Sequence, residues 1–154
     1  MKKEKIFLGA DHAGFEAKEK IKKYFESNNI DYEDLGYLTY DSKDDYPDIA
    51  FKVAKKVAKD KKSKGILLCG TGEGMAIAAD KVKGIRAVEA YDLLSAKLSR
   101  EHNDSNVLAL GARTLSIEKI KKIITAWLNT EFSKAKRHER RIKEITHFEN
   151  SQKA

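Results

Sequence analysis

Strand-like and helix-like segments alternate from one end of this chain to the other, which predicts an α/β domain with a five-stranded parallel sheet covered by helices on both faces. Size and composition agree with that class. The 154 residues suffice for one domain with a real core, and 41% hydrophobic with 36% charged residues describe a globular chain with a heavily charged surface. No repeat, low-complexity segment or interdomain linker interrupts the alternation, so residues 1–154 read as a single domain.

Ile6-Phe7-Leu8 is the first strand, and Phe15 to Phe25 is a helix with Ile21, Tyr24 and Phe25 on one face. Tyr32 to Leu35 gives a weaker second strand, followed by the loop Gly36 to Asp45. Pro47 suits the first turn of a helix running through Lys59, with Ile49, Val53, Ala54 and Val57 facing in. Ile66 to Cys69 is a buried strand, and a helix follows Gly74. Then come a strand over Ile85 to Ala90, a helix from about Asp92 to Arg100, and a strand over Val107 to Leu110. Ser116 caps an amphipathic helix reaching Leu128, with Ile117, Ile120, Ile124 and Trp127 on its apolar face.

The formal net charge is +7, and Lys134 to Ala154 holds seven Lys/Arg against three Glu. Such a basic end suits nucleic acid, a membrane surface or a small phosphorylated substrate. The cluster Lys134-Ala135-Lys136-Arg137-His138-Glu139-Arg140-Arg141 runs into Ile142, Ile145 and Phe148 at helical spacing. A packed helix over 134–150, not a floppy tail, is therefore predicted to carry these arginines. The single cysteine excludes an intramolecular disulfide, and no clustered Cys/His spacing suggests a structural zinc. Met1-Lys2-Lys3-Glu4-Lys5 is like the start of a signal peptide, but the apolar run from Ile6 to Ala10 is too short to continue one. No stretch approaches membrane-spanning length, so the expectation is a cytoplasmic protein without a membrane partner.

In parallel α/β sheets, ligands bind beyond the carboxyl ends of the strands. The polar residues at those points are Asp11-His12, Cys69 to Gly74, Tyr91-Asp92 and Gly111-Ala112-Arg113. Cys69-Gly70-Thr71-Gly72-Glu73-Gly74-Met75 is the most informative of them. Alternating glycines let backbone approach a ligand closely, and a strand-to-helix turn aims unpaired N–H groups and a helix N-terminus at an anion. The glycine spacing is wrong for a dinucleotide fingerprint, and no Lys-Ser/Thr pair closes the loop as in a P-loop. Cys69 sits where a helix N-terminus can hold part of a thiol as thiolate. A small buried hydrophobe in an ordinary glycine-rich turn is the competing explanation. His102 and Asn103 stand where a helix turns into the fifth strand, and Arg137 and Arg141, four apart, share one helix face.

Taken together, Gly9 to Phe15, Cys69 to Gly74, Gly84-Ile85-Arg86-Ala87, Ser99 to Asp104, Gly111-Ala112-Arg113 and Arg137 to Arg141 resemble the type B ribose-5-phosphate isomerases. That family also contains galactose-6-phosphate isomerase subunits, and the resemblance runs from Ile6 to about Phe148. It implies a Rossmann-like three-layer sandwich that interconverts ribose 5-phosphate and ribulose 5-phosphate, in the non-oxidative pentose phosphate pathway, without metal, nucleotide or other cofactor. By the same resemblance, Cys69 is the base moving a proton between C2 and C1, and His102 the acid/base that opens the furanose ring. Asp11 and His12 are then sugar contacts, and the stretch Gly70, Thr71, Gly72, Glu73 and Gly74 is the backbone cradle. The side chain of Glu73 is expected to face solvent. Asn103 is a hydroxyl or oxyanion contact, and Arg113, Arg137 and Arg141 are phosphate ligands. The resemblance brings Arg137 and Arg141 from a neighbouring subunit, which makes the active unit a homodimer and leaves open its pairing into tetramers. One branch of the family has a glutamate base where this chain has Met75; here Met75 takes no proton and Cys69 is present, as in the cysteine branch.

An isomerase of a six-carbon phosphate, such as allose 6-phosphate or galactose 6-phosphate, is the alternative within the same chemistry. A nucleic-acid-binding module using the basic C-terminal helix leaves Cys69 and His102 unexplained. A sugar-phosphate sensor would keep the pocket and lack turnover.

Overall fold

The computed structural model describes residues 4–152. Five strands, β1 (Ile6–Ala10), β2 (Tyr32–Gly36), β3 (Lys64–Cys69), β4 (Ala87–Glu89) and β5 (Val107–Gly111), pair in parallel in the order β2-β1-β3-β5-β4. They alternate with α1 (Phe15–Ser27), α2 (Tyr46–Lys59), α3 (Glu73–Ala79), α4 (Leu93–Asn103) and α5 (Ile117–Leu128), and α6 (Lys136–Ser151) follows. The result is the three-layer α/β sandwich expected from the alternation.

Strand parity sorts the core into two halves, because successive side chains on a strand point to opposite faces. Phe7, Leu67, Cys69, Val107, Ala109 and Ala87 pack against Ile49, Val53 and Val57 of α2 and Met75 and Ala79 of α3. Ile6, Leu8, Ile66, Leu68, Leu108 and Leu110 pack against Ile21 and Phe25 of α1, Ala96 of α4 and Ile120, Ile124 and Trp127 of α5. The central strands are buried on both faces, which is why they read as unbroken apolar runs. Trp127 is fully buried, and its indole N–H donates to Ser105 Oγ at 2.8 Å, so the largest core ring leaves no polar atom unpaired.

Several bounds differ from the sequence expectation. The first strand runs to Ala10 and the second to Gly36, because pairing with β1's neighbours continues past the apolar core of each run. The fourth strand is shorter than Ile85 to Ala90. Ile85 belongs to a turn, its N–H bonded to the Val82 carbonyl, and the Ala87 N–H donates to Asp80 Oδ1 where the strand begins. α4 continues three residues beyond Arg100 to Asn103 and stops where Asp104 adopts a left-handed conformation. The last helix begins at Lys136, after Lys134 at φ 56°, rather than at 134. The basic start Met1-Lys2-Lys3 and the final residues 153–154 lie outside the described residues. No described helix is long and apolar enough to cross a membrane.

α6 is a helix, as the spacing of its apolar residues predicts, but His138 is its one buried side chain, while Ile145 is 53% and Phe148 67% exposed. Within one chain the apolar stripe of this helix has almost nothing to cover it.

Candidate active site

β3 lies between β1 and β5, and the connections leave the sheet on different sides. α1 and α5 pack on one face and α3 on the other. Where neighbouring strands send their chains to opposite faces, a crevice opens at their carboxyl ends. Three stretches singled out in the sequence converge there: Asp11-His12 after β1, the Cys69 turn after β3, and Arg113 after β5.

Asp11 is buried; its backbone N–H donates to the Leu68 carbonyl, and its Oδ1 accepts from the Gly14 N–H at 3.1 Å. Burial raises the carboxyl above its ordinary pKa, against the pull of the Gly14 N–H and His12. His12 is held twice by Asp44: its backbone N–H donates to Oδ1 at 2.9 Å, and its ring Nδ1 meets the same oxygen at 2.7 Å. That carboxylate raises the imidazole's pKa; burial and the Arg113 guanidinium oppose the shift, and Asp11 adds to it.

Asp44 belongs to the loop after β2, whose start is fastened by a buried ammonium. Lys18 is completely buried on α1, with Nζ donating to both oxygens of Asp34 and to the Tyr37 carbonyl. The Tyr37 N–H donates to the Ala10 carbonyl, and its hydroxyl to the Asp45 carbonyl. Burial alone would raise Asp34, but Lys18, Lys22 and the Gly36 N–H outweigh it and hold the carboxyl below its usual range.

The Cys69 turn is shaped by close contacts. Gly72 adopts φ +88°, and a Cβ there would come within 3.0 Å of the Leu110 backbone, so glycine is required on both counts. The Gly72 N–H donates to Cys69 Sγ at 3.1 Å and orients the buried sulfur. The Ala112 N–H bonds the Cys69 carbonyl and the Arg113 N–H bonds the Gly70 carbonyl, which ties the β5 loop to the turn. The Arg113 side chain lies over Gly70, where a Cβ would stand 3.5 Å from Arg113 Cδ. Tyr46 closes the other side, with its ring 2.7 Å from where a Gly74 Cβ would be. Thr71 and Glu73 are exposed, Glu73 as expected, while Met75 is fully buried in the core. Glu73 and Gly74 belong to the first turn of α3 rather than to a preceding loop.

His102, Asn103, Arg137 and Arg141 are not in this crevice. α4 runs antiparallel to the strands and ends at the sheet's amino edge, where the Asn103 and Asp104 carbonyls accept from Arg86 just ahead of β4. The Ser133 N–H bonds the Glu101 carbonyl, and the Gly84 N–H bonds Glu149 of α6, so the C-terminal helix lies at the same edge. Cys69 pairs with Gly111 at the opposite edge, about 13 Å away along β5 at the usual rise per residue. A site using all these residues within one chain is therefore excluded by topology: His102 and Asn103, like Arg137 and Arg141, stand at the edge opposite Cys69.

Asp44 and Tyr46 are the residues that sequence reasoning missed. The signal for them is the position of the loop after β2, which holds Asp44 and leads into Tyr46 at the start of α2, since the carboxyl end of β2 opens on the same crevice. Asp11, His12 and Asp44 place one ligand atom each within 4.8 Å of one another, so they are the described residues able to hold a metal ion. Two of the carboxylate oxygens are already engaged by N–H groups, and Asp44 Oδ2 is buried without a hydrogen-bond partner.

Comparison with known proteins bears on this crevice. A family model described as ribose/galactose isomerase matches residues 6–145. Ribose-5-phosphate isomerase B of Escherichia coli is 44% identical over 145 residues, 94% of this chain and 96% of that protein. Ribose-5-phosphate isomerase B of Mycobacterium tuberculosis is 38% identical over 150 residues, 97% of this chain and 93% of that protein. A crystal structure of ribose-5-phosphate isomerase B from Mycoplasma genitalium with bound ribulose-5-phosphate superposes with a TM-score of 0.92 at 40% identity, covering 96% of this chain and 97% of that one.

Proposed function

The chain belongs to the ribose/galactose isomerase family, and from that premise we propose that it interconverts D-ribose 5-phosphate and D-ribulose 5-phosphate through ring opening and an enediolate. The observation that carries the proposal is the convergence of a buried cysteine, a glycine-rich backbone turn, a carboxylate–imidazole pair and an arginine at one switch point of the sheet. Aldose–ketose isomerisation needs a base beside C1 and C2, donors for the oxyanion that forms between them, and a grip on the rest of the sugar.

Cys69 takes the proton from one carbon and returns it to the other. The backbone of Gly70, Thr71, Gly72, Glu73 and Gly74 cradles the developing oxyanion; one well-placed donor is typically worth about 3 kcal/mol in such a transition state. Asp11 and His12 contact the sugar. The phosphate does not react; it supplies binding energy that positions C1 and C2, and Arg113 grips it from the chain that holds Cys69.

His102 as the ring-opening acid/base, Asn103 as a hydroxyl contact, and Arg137 and Arg141 as further phosphate ligands come from a second copy. Each chain thus completes its neighbour's site in a cytoplasmic homodimer. The exposed stripe of α6 supports this reading, since a helix with one buried side chain gains little from its own chain and Ile145 and Phe148 need a cover. The proposed chemistry involves no metal, nucleotide or nucleic acid.

The test is ribulose 5-phosphate formation from ribose 5-phosphate with a chelator present and Cys69→Ala alongside. Turnover that survives the chelator and falls at least about 1,000-fold in the variant, with substrate binding still measurable, is expected for loss of a proton-transferring base. Faster turnover of allose 6-phosphate or galactose 6-phosphate than of ribose 5-phosphate would overturn the substrate assignment, and an active Cys69→Ala would overturn the base.

A further inference from the structure

Two imidazoles lie face to face where α4 meets α6: the His102 and His138 ring centroids are 4.3 Å apart and their planes 15° from parallel. The two rings are not equivalent. His102 is half-buried at the end of α4, whereas His138 is 5% exposed and its Nε2 is buried without a hydrogen-bond partner among the described residues. Burying an unpaired ring nitrogen is unfavourable, so hydrogen bonding within the chain does not explain this residue. What it does make is a broad flat contact with His102. The backbone around the contact is pinned as well, by the Ser133 N–H on the Glu101 carbonyl and the His138 N–H on the Ala135 carbonyl.

We propose that His138 is a positioning residue for His102, its ring face setting the plane in which the His102 imidazole is offered to a sugar bound by the partner copy. The inference rests on the ring-opening role given to His102 above. Ring opening requires a group that passes through its protonated form, and a neutral aromatic face tolerates a neighbouring imidazolium where a second cation would repel it. The charged and titratable groups acting on His138 are Arg137 and Arg141 from its own helix and His102 from α4; burial first, then Arg137, His102 and Arg141, lower its pKa, which favours the uncharged ring.

Two variants test this. His138→Ala removes the face, and His138→Phe keeps a flat ring while removing both nitrogens. With cyclic ribose 5-phosphate, His138→Ala is expected to lower kcat about tenfold with KM within about twofold, and His138→Phe to restore kcat to within about threefold. Exchange of the C1 proton of open-chain ribulose 5-phosphate, which bypasses ring opening, should stay within about twofold in both. The His102 ring-proton resonances should move in His138→Ala and stay near their wild-type positions in His138→Phe. A phenylalanine variant as impaired as the alanine variant, a loss confined to KM, an equal loss on the open-chain substrate, or unmoved His102 resonances in His138→Ala would each overturn the proposal. If His138→Ala does not fold, His138→Phe decides alone: kcat near wild type supports the ring-face role and a tenfold loss refutes it. Wild-type protein inactive on ribose 5-phosphate would instead refute the proposed function, and the resonances would still decide whether the two rings are coupled.

Discussion

Asp44 makes two bonds to a single residue, one to the His12 N–H and one to its ring Nδ1, so the ring's orientation and tautomer are set together. With Nδ1–H directed at the carboxylate, Nε2 is left to meet a ligand. The pair raises the folded-state pKa of His12 above its ordinary value. Its contribution to stability is therefore fully present below the unfolded histidine pKa and is lost as pH rises through the folded one. Asp44→Asn should move the His12 titration back toward the ordinary value, as followed by NMR of the imidazole protons; an unmoved midpoint would show that Asp44 does not control the ring. Asp11 and His12 were legible in the sequence because they follow a strand directly. Asp44 was not, because seven residues separate it from the end of β2, and nothing in the spacing reveals that Lys18 and Tyr37 fold that loop back over the crevice.

Secondary structure was legible wherever one periodicity dominated. α5 is the clearest case: its apolar stripe is buried as expected, and Ser116 accepts from the Lys119 N–H at 3.2 Å as an N-cap should. Ser116→Ala is expected to cost about 1 kcal/mol, read as a lower urea midpoint with an unchanged slope; no change in midpoint would mean that the cap does not stabilise the fold. The end of α4 was harder to see, since Glu101-His102-Asn103 is polar and only the left-handed Asp104, bonded through Arg100 and Arg86, shows where the helix stops. The fourth strand was overestimated for a related reason. Ile85 is apolar and buried, but it fills a turn below the sheet rather than a place in the ladder. Burial without alternation carries no information on which of the two it is.

At the scale of the whole molecule, the two halves of the proposed site lie at opposite edges of one sheet. Cys69, Asp11, His12 and Arg113 gather at the carboxyl edge, and His102, Arg137 and Arg141 at the amino edge. The residue types and their order along the chain were legible in the sequence; that His102 and Asn103 cannot reach Cys69 in their own chain was not, because it depends on α4 running back the full depth of the sheet. The proposed site therefore needs two copies of the chain, each contributing one edge. Its most direct test is to mix two inactive variants, Cys69→Ala and His102→Ala, under conditions that exchange subunits, and to assay ribose 5-phosphate turnover. In a mixed dimer one site draws its cysteine from one chain and its histidine from the other, so random pairing should restore about a quarter of wild-type activity. Mixed dimers that form but stay as inactive as their parents would contradict it.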